Sequence, residues 1–386
     1  MNQKSNTPIY LFLQDITLDG GCERVVVNMV NEFIKQYQSV HIVSNFQSKL
    51  NIKYPINEKV KIHYIHQNQS LEEWKSSHLF RQLFRSVFFY KFMLSIDFSK
   101  KLYLYVNNNK VSNDKFIIMC HGYETPYYKK RNIKLIGVDH SHFPFLKKKS
   151  FWYRKVKFPI ISFMNRNLDI VTILTNAEIE YWRLLKRPII IMPNFIPNIP
   201  KNVPAMEFRE KKIISMGRMN TDQKGFDRLI TAFNNLSGKF PDWKLDIYGD
   251  GKLKIEYQQL INSYNLQETI TLKKFTETPF EVFSNNSIYV MCSRTEGFGM
   301  VLAEAMACGM AVVSYSNTGP DSIIDNNNNG FLIQNDDENR LCEKLILLMS
   351  NIEERKRIST KARIDIISRY SKDLIINKWI EIFNSL

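Results

Sequence analysis

Between Ile9 and Val43 the chain writes one complete supersecondary unit, and that unit limits the fold more than any other feature. The apolar run Ile9-Tyr-Leu-Phe-Leu13 reads as a strand, and a loop ending in Gly20-Gly21 follows it. Val26, Val27, Val30, Phe33 and Ile34 then recur at helical spacing between Glu23 and Tyr37, before Val40-His-Ile-Val43 forms a second strand. A strand, a glycine loop, a helix and a strand begin a βαβ series, which demands a parallel sheet covered by helices. Further strands are expected at Lys61 to Ile65, Phe116 to Cys120, Leu135 to Val138, Ile170 to Leu174 and Ile189 to Met192. An aromatic-rich helical stretch with Lys75, Arg81, Arg85 and Lys91 occupies about Leu71 to Leu94.

Prolines at 193, 197, 200 and 204 then stop regular structure, so this segment reads as an interdomain linker. The alternation restarts after it. Strands are expected at Ile213 to Met216, Trp243 to Tyr248, Ile288 to Cys292 and Ala311 to Ser314. Helices are expected at Phe226 to Leu236, Ile255 to Tyr264, Val301 to Ala307, Glu338 to Met349 and Glu353 to Tyr370. Asn326 to Asn329 is a turn before Gly330. The expectation is α/β, with two Rossmann-like, doubly wound domains facing each other across a cleft. They would span 1–193 and 194–370, with a terminal helix at about 371–386 packing back on the first. A chain of 386 residues fits two domains, and 44% hydrophobic content supports two sizeable cores.

The formal charge of +15 is unevenly spread. Residues 1–190 hold 29 Lys/Arg against 14 Asp/Glu, whereas residues 191–386 hold 24 of each. A positive half-molecule calls for an anionic partner such as lipid headgroups, a phosphorylated acceptor or nucleic acid. Five scattered cysteines without a C-x-x-C pair read as reduced, mostly buried thiols rather than a metal site. The apolar run at Ile9 to Leu13 is too short for a signal segment or a spanning helix, so the expected location is the cytoplasm.

The chemistry concentrates between Ser293 and Gly309. A strand ends in Ser293-Arg-Thr-Glu, a Gly-x-Gly loop follows, and a helix then carries Glu304. Gly297 and Gly299 let backbone amides approach a ligand, and the helix N-terminus supplies free N–H groups and partial positive charge that favour phosphate. Glu296 at the loop mouth can accept from sugar hydroxyls, and Glu304, about two turns into the helix, from ribose hydroxyls.

Glu296-Gly-Phe-Gly-Met-Val-Leu-Ala-Glu304, continuing into Ala305-Met-Ala-Cys-Gly309, resembles the nucleotide-binding domain of the large retaining glycosyltransferase family with a GT-B fold and a Glu-x7-Glu motif. Ile213 to Gly225 is similar to the family segment whose Arg and Lys clamp the donor diphosphate, here Arg218 and Lys224. Gly319-Pro-Asp-Ser-Ile-Ile-Asp and Asn329-Gly-Phe-Leu resemble later signposts, so the likeness runs over about 205–370. It implies a donor site of Gly20, Gly21, Arg218, Lys224, Phe275, Glu296, Gly297, Phe298, Gly299, Met300, Val301 and Glu304. Lys274 stands where the family often has Gly, which bears on the base contact at Phe275. The family also places a histidine at the end of an N-domain strand near the sugar. Spacing to Pro193-Asn194 favours His140 over His121, and the implied catalytic set is His140, Glu296, Arg218 and Lys224.

The resemblance implies a hexosyltransferase moving a sugar, with retention, from a nucleotide diphosphate sugar. A UDP-sugar is favoured, and the acceptor would be a glycan or lipid-linked glycan in cell-surface polysaccharide synthesis, lipopolysaccharide or capsule among them. No Asp-x-Asp follows any strand, so the reaction is expected to need neither metal nor cofactor. Lys147 to Lys157 interleaves five lysines and one arginine with three aromatics, which suits an anionic bilayer surface. The first domain is thus expected to bind the acceptor and to lie peripherally on the inner membrane face, without binding nucleic acid. The alternative class is a basic membrane- or nucleic-acid-binding module on a degenerate scaffold of the same fold. Other enzymes of that fold, a phosphorylase or a sugar-nucleotide epimerase, stand as a third option.

Overall fold

The computed structural model describes residues 5–77, 87–109, 115–121, 125–126, 128–140, 162–163 and 165–386, leaving aside the side chains of 75–77, 87–95 and 184. The chain divides into two units, Met1–Met192 with Ile376–Leu386, and Pro193–Ile375.

The first unit carries strands β1 (Ile9–Asp15), β2 (Val40–Phe46), β3 (Lys61–His66), β4 (Phe116–His121), β5 (Ile133–Val138), β6 (Ile170–Ile173) and β7 (Ile189–Ile191). All pairings are parallel and the order is β3-β2-β1-β4-β5-β6-β7. Sequence order reverses between β1 and β4, so the carboxyl ends of those strands form a switch-point crevice. Helix α1 (Gly21–Gln36) packs Val26, Val27, Val30 and Phe33 inward, the residues its spacing marks. It begins at Gly21 rather than Glu23, because Gly20 is the extended cap residue. The aromatic stretch is two helices, α2 (Leu71–Ser77) and α3 (Val87–Asn108), the second running 14 residues past Leu94. Phe98, Leu102 and Val106 on α3 bury against Tyr10, Phe12 and Ile118 of the sheet, which is why the helix continues beyond its aromatic-rich start. A short helix, α4 (Ile179–Trp182), follows β6.

The second unit has strands β8 (Glu210–Met216), β9 (Lys244–Tyr248), β10 (Ile270–Lys273), β11 (Asn286–Met291), β12 (Ala311–Tyr315) and β13 (Phe331–Ile333). Again every pair is parallel, in the order β10-β9-β8-β11-β12-β13, with the switch between β8 and β11. Its helices are α5 (Phe226–Ser237), α6 (Lys254–Ser263), α7 (Pro279–Asn285), α8 (Met300–Ala307), α9 (Thr318–Ile323), α10 (Glu338–Ser350) and α11 (Ile352–Tyr370). The core is formed by the apolar faces of α5 and α10 on the sheet, with Phe226, Leu229, Phe233, Leu341 and Leu345 against Ile213, Ile247 and Val290. Two helices of this unit escape a sequence reading, α7 and α9, because each is too short to show a full apolar period.

A last helix, α12 (Lys372–Ser385), enters the first unit at Ile376. Phe383 meets the rings of Phe33 and Tyr37 on α1, with centroids 5.3 and 5.9 Å apart. No helix among the described residues is long and apolar enough to cross a membrane. The basic segment from Lys147 to Lys157, and the side chains of Lys75, Arg81, Arg85 and Lys91, lie outside the described residues.

Candidate active site

Second unit first. The loops after β8 and β11, neighbours at the switch, meet at an ion pair: Lys224 Nζ donates to Glu296 Oε2 at 2.6 Å, and both side chains are largely covered. Ser293 Oγ donates to the same carboxylate oxygen at 3.4 Å. Lys224 closes a one-turn helix, and Gly225 reverses the chain behind it with φ +66°. A Cβ on Gly225 would sit inside the van der Waals shell of the Cys292 carbonyl oxygen, so only glycine permits this approach of the two loops.

Arg294 ties the same loops together. Its guanidinium donates to both carboxylate oxygens of Asp227, at 2.9 and 2.6 Å, and to the Asp222 carbonyl at 2.6 Å. Its backbone N–H donates to the Gln223 carbonyl at 2.7 Å. A two-pronged Arg–carboxylate pair fixes direction as well as distance. The pairing holds the Asp227 carboxyl below its ordinary range against the opposing effect of burial. Sequence reasoning passed over Arg294. Its only signal is an arginine directly after a strand, opposite an acidic residue in the first turn of the next helix.

Downstream, Gly299 caps α8 with φ +91° and leaves the N–H groups of the first helical turn, from Met300 and Val301, facing the loop mouth. Glu304 lies four residues into α8, about one turn and not two, because the helix starts at Met300. Its side chain is buried at 1% exposure. The Phe298 ring is buried and packs edge-on to Tyr370 at 5.4 Å, so only the backbone of Phe298 can face a ligand. Beneath this loop, the Gly319 N–H donates to the Glu296 carbonyl at 3.1 Å, and any side chain at Gly319 would strike the Phe298 backbone.

Arg218 is exposed, and no hydrogen bond or ion pair holds its guanidinium among the described residues. Phe275 is 48% exposed beyond β10, with its N–H donating to Asp250 Oδ2 at 2.8 Å. That bond, with the Lys254 ammonium, depresses the Asp250 carboxyl below its ordinary value.

In the first unit, Gly20 and Gly21 sit between β1 and α1. Gly20 has an ordinary extended backbone, φ −100° and ψ 171°, and a Cβ on Gly21 would meet nothing within 4 Å. Packing within the described residues therefore does not demand glycine at 21. At the ends of β4 and β5 the two candidate histidines stand together: His121 Nδ1 and His140 Nε2 are 2.6 Å apart and the rings stack at 4.9 Å. Burial pushes both imidazoles down, His140 to about 4, and each is also next to the other. Beside them Asp139 accepts from Trp182 Nε1 at 2.8 Å. Burial and the Asp139 charge push the Glu178 carboxyl up to about 8.

Two parallel doubly wound sheets, each with its loops gathered at a switch point, are the domains of the GT-B fold. Residues 200–365 match the family described as "Glycosyl transferases group 1". A poly(ribitol-phosphate) alpha-N-acetylglucosaminyltransferase of Staphylococcus aureus is 32% identical over 200 residues, which is 51% of this chain but 40% of that enzyme's length. An uncharacterized glycosyltransferase of Haemophilus influenzae is 26% identical over 378 residues, 96% of this chain and 98% of that one. Among solved structures, S. aureus TarM in complex with fondaparinux, alpha-GlcNAc-glycerol and UDP superposes with TM-score 0.73 at 20% identity, covering 98% of this chain and all of that one.

Proposed function

We propose that the chain is a retaining, metal-independent hexosyltransferase that moves a sugar from a nucleotide diphosphate sugar to an anionic glycan or polyol-phosphate acceptor in cell-surface polysaccharide synthesis. The observation that carries the reading is the Lys224–Glu296 pair, 2.6 Å apart beside the N-terminus of α8. Free amides, an ammonium and an exposed Arg218 on one switch point form an anion site with a carboxylate at its edge. A donor diphosphate would take the α8 amides and draw Lys224 from Glu296, leaving that carboxylate to accept from sugar hydroxyls. Two cations then offset charge that develops on the departing nucleoside diphosphate. Glu304 is placed to accept from ribose hydroxyls, and the exposed Phe275 to stack on a base.

UDP is the favoured nucleotide of the donor, supported by the fold shared with TarM, which was solved with UDP. The acceptor reading is supported by the excess positive charge of residues 1–190 and by the S. aureus relative, whose name gives it a polyanionic acceptor. Peripheral association with the inner membrane face and binding of lipid-linked glycans extend the same argument. On this reading His140 lies at the sugar, with Gly20 and Gly21 bringing amides to the donor.

A thermal-shift panel of UDP-, GDP- and ADP-sugars tests the donor. One of them at 100 times its dissociation constant should stabilise the protein by about 2.7 kcal/mol. Lys224→Ala and Glu304→Gln should each remove most of that shift. If no nucleotide sugar stabilises the protein while polyanions bind in a salt-sensitive manner, the chain is a binding module instead. The anomeric configuration of the product, read by NMR, tests retention.

A further inference from the structure

Three side chains of metal-ligating type converge at the switch point of the first unit. Cys22 lies in the first turn of α1, His121 ends β4, and His140 follows β5; one ligand atom from each lies within 4.8 Å of the other two. The imidazoles touch each other through His121 Nδ1 and His140 Nε2, 2.6 Å apart. Their remaining nitrogens, His121 Nε2 and His140 Nδ1, are buried and have no hydrogen-bond partner among the described residues.

We propose that Cys22, His121 and His140 form a three-ligand site for a borderline-soft divalent cation of the zinc class, with water completing the shell. One sulfur and two imidazole nitrogens select zinc-like ions, whereas magnesium and calcium take oxygen ligands. Bonds of about 2.0–2.1 Å to nitrogen and about 2.3 Å to sulfur, at tetrahedral angles, separate the ligand atoms by roughly 3.3–3.8 Å. The imidazole pair must therefore open by roughly 0.7 Å and the sulfur close in by up to about 1 Å, which side-chain rotation can supply. On binding, each ring donates one nitrogen lone pair and keeps its single N–H on the other nitrogen. Cys22 ligates as thiolate, and its thiol proton leaves to solvent.

The site also bears on the donor reading, on which one consequence rests. An ion here would engage His140 and Cys22 beside the Gly20-Gly21 loop, so zinc-class ions should inhibit a reaction that itself needs no metal.

The full chain, stripped with chelator and titrated with Co²⁺, tests the site directly. One equivalent should bind per chain with a near-ultraviolet thiolate-to-cobalt band, and Zn²⁺ should displace it. Cys22→Ser should abolish that band, and His121→Gln should lower Zn²⁺ affinity by at least about tenfold. A wild-type protein without the band, or variants that bind Zn²⁺ as tightly as wild type, would overturn the proposal. Should His121→Gln fail to fold, Cys22→Ser and Cys22→Ala, in the first turn of a helix, decide it. Donor stabilisation is measured separately on the chelated protein, so failure of the ion site and failure of the donor reading remain distinguishable.

Discussion

Gly225 meets a backbone demand and, on the proposed reading, a functional one. It holds Lys224 against Glu296 only because a left-handed turn with no Cβ can abut Cys292. Gly225→Ala should destabilise the protein by at least the ~1–2 kcal/mol of a left-handed alanine, with the steric clash added. It should also weaken donor stabilisation, whereas a purely structural glycine would lower the melting temperature alone. Paired thermal melts with and without nucleotide sugar separate the two. Glu178 gives a second prediction at this scale. Its carboxyl is raised to about 8 by burial and by Asp139. A raised acid contributes stability that is fully present below its unfolded value near 4.5 and is lost as pH rises through about 8. Wild type should therefore lose stability relative to Glu178→Gln as pH is raised from about 5 to about 9. Parallel slopes for the two proteins would refute the assignment.

Among elements, the loops after β8 and β11 act as one body because Arg294 clamps Asp227 and the Asp222 carbonyl. Arg294→Lys keeps the charge but loses the fork. It should lower donor turnover by roughly tenfold or more, as misplacement of a positioning group does, while leaving the melting temperature within a few degrees. A drop in turnover matched by a large loss of stability would mean that Arg294 only holds the fold. Most elements were legible at this scale. The period-2 and period-3.6 runs that mark β1, α1, β8 and α5 reflect faces that must bury, so residue pattern and structure agree within a few positions. Helix α9 was legible only as a short string around Gly319. Its function, propping the Glu296–Phe298 loop through a glycine contact, is a packing fact with no periodic trace.

Over the whole molecule, the chain crosses into its second unit once and returns through α12, whose Phe383 seats against Phe33 and Tyr37. Phe383→Ala should cost the first unit about 3–5 kcal/mol, as buried aromatic truncations do. A two-step melt should then show the transition of the first unit lowered and that of the second unchanged. Equal movement of both transitions would contradict separate units. The charge excess belongs to this scale as well. If residues 1–190 face an anionic acceptor, the KM for acceptor should rise steeply with salt while the KM for donor changes much less.

The sequence by itself determined the two-sheet α/β architecture and singled out the candidate donor-side groups. Both rest on local signals: apolar period, glycines beside strand ends, and Glu296 and Glu304 on one loop and helix. Only tertiary structure decided which of those groups touch. Lys224 and Glu296 are 72 positions apart, and Arg294 and Asp227 67, so neither pair leaves a local trace. Spacing set His121 and His140 as alternatives, yet adjacent parallel strands end side by side and bring them into contact. The same closure carries Cys22 to both, because α1 starts at the carboxyl edge of the strand beside β4. Contacts across strands depend on sheet order, and sheet order is a property of the folded chain.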